Sequence, residues 1–255
     1  IGKSPRGPWM IPEDDVFDTR SDYAIKTASD GKRRFAFGWI ASKYGNCDFG
    51  PWEWGGTMVF HELIQNPDDG TLRVKVIPGV RDFYSEPQEE KKALAAGAKL
   101  QECAGGIRIA ADTLGAGLYE IPKDSFSIEM DIHVTQAHEF GIALHVDNGL
   151  ERGYFLRMNR RRGEAAWDMW PRSEQGRYQW QIKGDVPYQI ETARRLPAAD
   201  DYHVFIIRED DICVVYINDE VVLSTRMYDH KGGYAGVYAV QGEVKLSNYV
   251  VRTLK

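Results

Sequence analysis

Aromatic residues close to acids are the side chains of this sequence best suited to chemistry. Trp52 and Trp54 bracket Glu53 in a stretch rich in glycine and proline. If that stretch is an exposed loop, its indoles contact a ligand; if it is sheet, they pack in a core. Trp167, Trp170, Tyr178 and Trp180 recur through WDMWPRSEQGRYQW. Such a series serves either as an aromatic platform for an oligosaccharide or as the packing face of a sheet. Asp22 and Tyr23 open a β-rich run, where an aspartate is also an ordinary turn residue.

Other chemistries lack their residues. His133, His138, His145, His203 and His230 have no spacing that gathers a metal, and strand or turn positions account for them, so neither metal nor cofactor is expected. The three cysteines, Cys47, Cys103 and Cys213, are odd in number and widely spaced, which suggests neither a disulfide framework nor a zinc site. No glycine-rich phosphate loop, Ser-His-Asp order or nucleotide fingerprint occurs. A formal net charge of -6 argues against a nucleic-acid partner. The basic run Arg160, Arg161, Arg162 is read as a solvated hairpin tip. No apolar run approaches the ~18 residues of a membrane span, so no membrane partner is expected.

The elements that would position these residues are strands. Period-two alternation runs through SFSIEMDIHV, placing Phe126, Ile128, Met130 and Ile132 on one face. HVFIIRED, DICVVYIND and EVVLSTRM follow, joined by the tight polar turns Glu209-Asp210-Asp211 and Asn218-Asp219-Glu220. Tyr234 to Val240 and Val244 to Arg252 read as two further strands around Gln241-Gly242-Glu243. This spacing predicts an antiparallel sandwich over residues 97–255. A helix is expected over Glu86 to Ala96, with Gly97 as its stop. Before it lie two hairpins: Tyr23 to Thr27 with Arg34 to Ile40, and Gly56 to Leu63 with Leu72 to Val76. Each is read as material of a separate propeller blade. Roughly four to eight blades are needed to close such a ring, so residues 1–83 require a partner.

The motif order resembles glycoside hydrolase family 32, the invertase, levanase and inulinase group. The matching residues are Asp18, Asp22, Tyr23 and Ala24, then Gly31, Arg33 or Arg34, Gly38 and Trp39, then Trp54, Gly55, Gly56, His61-Glu62-Leu63 and Asp69-Gly70-Thr71-Leu72. The sharp motifs lie in residues 14–78, and over the sandwich only the type of fold agrees. His61 stands where arginine is common in the family. The resemblance implies an all-β chain: the last two blades of a five-bladed β-propeller (1–83), a linker helix (84–96) and a concanavalin-like antiparallel β-sandwich (97–255). It implies retaining hydrolysis of a sucrose or oligosaccharide substrate by two carboxylates. It also assigns Trp39 to the furanose ring, with Tyr23, Asp22 and Trp54 as further substrate-binding residues. The family's Trp-Met-Asn-Asp-Pro and Arg-Asp-Pro motifs are absent, and Glu102-Cys103 falls in the sandwich part. No catalytic residue is therefore assigned to this chain, and the acids are expected from a missing N-terminal propeller segment or a second chain. Two alternatives stay open: a non-catalytic carbohydrate-binding module and a related furanosidase.

Overall fold

A computed structural model describes residues 1–89, 91–171 and 188–255 of this chain. The first strands are β1 (Asp22–Ser29), β2 (Arg34–Lys43), β3 (Trp52–Gln65) and β4 (Leu72–Lys75), joined in that order into a four-stranded antiparallel sheet. The β1–β2 turn closes where Asp30 Oδ1 accepts the Lys32 and Arg33 amides at 2.9 and 2.7 Å, with Gly31 at φ +92°. The two hairpins expected in separate blades are thus one sheet. Strand β3 is long enough to pair with β2 from Lys43↔Trp52 to Arg34↔Leu63, and with β4 from Glu62↔Lys75 to Gln65↔Leu72. Trp52 and Trp54 accordingly lie on a strand, not in a loop.

The helix expected within 84–96 does not form among the described residues. A short helix α1 (Pro78–Phe83) precedes that segment, with proline in its first turn. After it, β5 (Glu86–Pro87) pairs with Arg252 and Thr253, and β6 (Leu94–Ala96) pairs with Ala116 to Leu118. Glutamate, lysine and alanine favour a helix locally, but unpaired backbone groups on the adjoining strands offer more, and pairing prevails. Gly97, at φ +64°, turns the chain between strands instead of ending a helix.

The remaining strands are β7 (Lys99–Cys103), β8 (Gly106–Glu120), β9 (Phe126–Val134), β10 (Glu139–Val146), β11 (Gly153–Asn159) and β12 (Glu164–Trp170). They are followed by the short β13 (Tyr188–Gln189) and β14 (Arg194–Arg195), then β15 (Asp201–Glu209), β16 (Ile212–Ile217), β17 (Val221–Arg226) and β18 (Tyr234–Thr253). Where two strands around Gln241 were expected, β18 runs unbroken for 20 residues. It bends at Gln241, φ 46°, with a register shift between Val240 and Gly242. Its first half pairs with β10 and its second with β9, while β8 accompanies both halves. These two strands hand the chain from one sheet, β12-β11-β10-β18, to the other, β18-β9-β15-β16-β17.

Between the sheets, Phe126, Ile128, Met130 and Ile132 are buried as the alternation predicts, with Phe140, Tyr154 and Trp167 in the same core. The Phe140 and Tyr202 rings meet at 5.4 Å across it. Trp167 is therefore a packing residue and Trp170 is half-buried, whereas Tyr178 and Trp180 lie outside the described residues. Asp210 takes a positive φ in the two-residue turn between Glu209 and Ile212, Asn218 and Asp219 take it in the three-residue turn between Ile217 and Val221, and Arg160 to Arg162 form an exposed tip.

Strands β15 to β17 are buried on both faces. Val204, Ile206, Cys213 and Val215 enter the sandwich core. Phe205, Ile212, Val214, Tyr216 and Val222 point the other way and pack on Ala36, Ile40, Leu63, Val74 and Val76 of the N-terminal sheet. Arg226 crosses this seam, with Nη2 donating to the Ile40 carbonyl at 2.7 Å and Nη1 to Asp211 at 2.6 Å. Phe205 is 1% exposed and lies 4.6 Å below the Arg81 guanidinium. Phe205→Ala is expected to destabilise the chain by about 3–5 kcal/mol in urea unfolding; a cost under about 1 kcal/mol would show that the seam is not packed as described.

Candidate functional site

Alternation along β2 sends Ala36 and Ile40 into the seam and Phe35, Phe37 and Trp39 to the opposite face. Register then places Tyr23 and Met58 on either side of Trp39, and Phe60 beside Phe37. The Tyr23 ring stands edge-on to Trp39 at 5.5 Å and to Trp54 at 6.0 Å, and Phe37 lies 6.0 Å from Phe60. Three of the four residues expected at a sugar, Tyr23, Trp39 and Trp54, are thus brought together. Tyr23, Met58 and Phe60 are each about half exposed and Trp54 is 83% exposed. Indole Nε1 of Trp39 is buried without a hydrogen-bond partner. Tyr23, Trp54, Met58 and Phe60 thus form an exposed apolar patch beside Trp39.

Asp22, the fourth, lies on the other face, because neighbours along a strand point oppositely. It is buried opposite Ile40. Gly38 leaves it room: a Cβ there would stand 2.1 Å from Asp22 Oδ1 and 2.9 Å from the Tyr23 carbonyl. Asp22 meets Asp18 and His61 in the seam. His61 Nε2 is 3.4 Å from Asp18 Oδ2 and 3.8 Å from Asp22 Oδ2, and its Nδ1 is 2.8 Å from the Tyr216 hydroxyl. Asp18 Oδ1 accepts the Thr19 and Ser224 amides at 2.6 and 2.7 Å, and its Oδ2 accepts Ser224 Oγ at 2.5 Å.

Burial pushes the Asp22 carboxyl above the usual range, with the neighbouring Asp18 adding to it. Burial pushes Asp18 the same way, yet His61, Ser224 and Thr19 outweigh it and hold Asp18 below that range. The His61 imidazole is raised despite burial, by Tyr216 and the two aspartates. Sequence spacing did not reveal this trio, since a strand and a hairpin separate its members. Its one signal was the histidine standing where the resembled family carries arginine.

A second polar cluster lies on the outer side of β10 to β12, above buried aromatic rings. Arg157 donates from Nε to Asp168 Oδ2 at 2.8 Å and from Nη1 to Glu164 Oε1 at 2.6 Å. The Phe155 ring stands edge-on to Tyr238 at 5.6 Å, and Trp170 packs on the same cluster. Hydrogen bonding to Arg157 holds Glu164 below the usual carboxylate range.

No protein-family model matches the sequence, and no curated protein matches it. Solved structures share its fold. An exo-inulinase from Aspergillus awamori aligns at TM-score 0.59 and 14% identity over 92% of this chain and 43% of its own. Fructan 1-exohydrolase IIa from Cichorium intybus, in complex with 1-kestose, aligns at TM-score 0.57 and 13% identity over 94% of this chain and 49% of its own. The carbohydrate-binding module CBM66 from Bacillus subtilis aligns at TM-score 0.50 and 12% identity over 64% of this chain and 96% of its own. The chain therefore spans less than half the length of these two fructan-acting enzymes, and nearly all of the binding module.

The two faces of the N-terminal sheet should respond differently to substitution. Tyr23→Ala removes edge contacts at a half-exposed ring and is expected to change stability by less than about 1 kcal/mol. Gly38→Ala drives a methyl group into Asp22 and should cost about 1–3 kcal/mol or more. Thermal unfolding of both variants checks the difference, and equal effects would contradict the assignment of faces.

Proposed function

We propose that this chain is the C-terminal part of a glycoside hydrolase acting on β-fructosides such as sucrose, inulin or levan. Hydrolysis is of the retaining kind, with two carboxylates supplied from outside these 255 residues. The observation that carries the reading is the open aromatic face of the N-terminal sheet. A blade-like sheet sealed on one side by a sandwich and apolar on the other needs a neighbouring sheet. The motif order through residues 14–78 and the fold shared with fructan-acting enzymes support it.

In this reading Trp39 offers its indole to the C–H face of a furanose ring, and Tyr23 and Trp54 flank it. Asp22 acts from behind the sheet as a positioning residue. Asp18 and Asp22 are buried in the seam and cannot supply the catalytic pair. The polypeptide as its source makes it should release fructose from sucrose, inulin or levan. Trp39→Ala in that polypeptide should raise KM roughly threefold to tenfold, the worth of one aromatic contact. No fructose from any fructoside would defeat the reading.

A second reading, that the sandwich binds carbohydrate without cutting it, is favoured by the near-complete overlap with the CBM66 module. Its candidate contacts are Arg157, Asp168 and Glu164 beside Trp170. Calorimetric titration of the chain with fructans and other glycans should give heat that Arg157→Ala abolishes, and no heat for any glycan removes this reading.

A further inference from the structure

We propose that Asp18, Asp22 and His61 form a site for one zinc-class divalent transition-metal ion in the seam between the N-terminal sheet and the sandwich. One donor atom from each lies within 4.8 Å of the others. A tetrahedral zinc with bonds of about 2.0–2.2 Å holds its ligands about 3.4 Å apart, and the His61 to Asp18 and Asp22 separations are 3.4 and 3.8 Å.

Further support comes from buried atoms that face only one another. Both carboxylate oxygens of Asp22 and Nε2 of His61 are buried and make no hydrogen bond, with His61 only 1% exposed. Leaving such groups unsatisfied is costly, so they call for a ligand between them. With the imidazole neutral, as a metal ligand must be, the two carboxylates carry two negative charges that a dication cancels.

The surroundings are those of an oriented ligand set. Tyr216 fixes the His61 ring through Nδ1, which turns Nε2 towards the aspartates. Thr19 and Ser224 hold Asp18. One nitrogen and carboxylate oxygens without thiolate suit zinc or a similar ion, while calcium needs about six to eight oxygens. The ion would join β1, the residue Asp18 just before it and β3 at the face packed against β16 and β17, so its role is to brace the N-terminal sheet where Tyr216 and Ser224 of the sandwich hold its ligands.

Because the site is buried, the chain should be refolded with zinc and, separately, with cobalt(II), desalted, and analysed for metal. About one zinc per chain is expected, together with visible cobalt ligand-field bands of tetrahedral intensity. Removing the metal should lower the unfolding temperature. Asp22→Asn and His61→Gln should each reduce retained zinc at least tenfold. If either variant fails to fold, the wild-type chain still decides. Retention far below one ion per chain with no cobalt spectrum overturns the proposal and leaves His61 as an imidazolium between two carboxylates. The outcome is independent of whether the chain belongs to a fructoside hydrolase.

Discussion

Strands β15 to β17 carry apolar side chains on both faces, and this two-sided burial constrains everything N-terminal to them. Their inward side chains belong to the sandwich core, but Phe205, Ile212, Val214, Tyr216 and Val222 need a second cover. Apolar area gains roughly 25 cal/mol per Å² on leaving water, so the first sheet is held by the face that supplies Ala36, Ile40, Leu63 and Val74. Once that face is committed, pleating leaves Tyr23, Trp39, Met58 and Phe60 on the other. The open aromatic surface is therefore a consequence of the seam.

Polar groups in the seam must be satisfied as completely as its apolar groups are packed. Arg226 does this with backbone carbonyls of β2, and Asp18 does it with Ser224 of β17. Asp22 Oδ1 and Oδ2 and His61 Nε2 are the exception among the described residues of this cluster, for they make no hydrogen bond. They give the seam a chemical character that the apolar contacts alone would not have. A histidine is a metal ligand as well as a cation, so His61 can bind there what an arginine cannot.

Legibility in the sequence followed the range of the interactions. The strand Phe126–Val134 and the hairpin turns at Asp210 and Asn218 were readable, because alternation and turn chemistry are local. Glu86 to Ala96 misled because its helical composition competes with sheet edges formed by Ala116 to Leu118 and Arg252, which are distant in sequence. Gln241-Gly242 has the composition of a hairpin turn, yet the β8 strand alongside keeps β18 continuous through it. Motif matching named Tyr23, Trp39 and Trp54 together, and the three rings lie on one face. It could not separate Asp22 from them, since the face of each residue follows from register.

The central claim is that the outer aromatic face is covered in the working protein. Oxidative footprinting of Met58 and Phe60 in the polypeptide as isolated from its source, beside the 255-residue chain, measures this directly. Strong modification of the isolated chain and at least severalfold protection in the source polypeptide is the predicted result. Equal modification in both would mean that no neighbour rests on that face, and the account of the N-terminal sheet as part of a larger ring would fail.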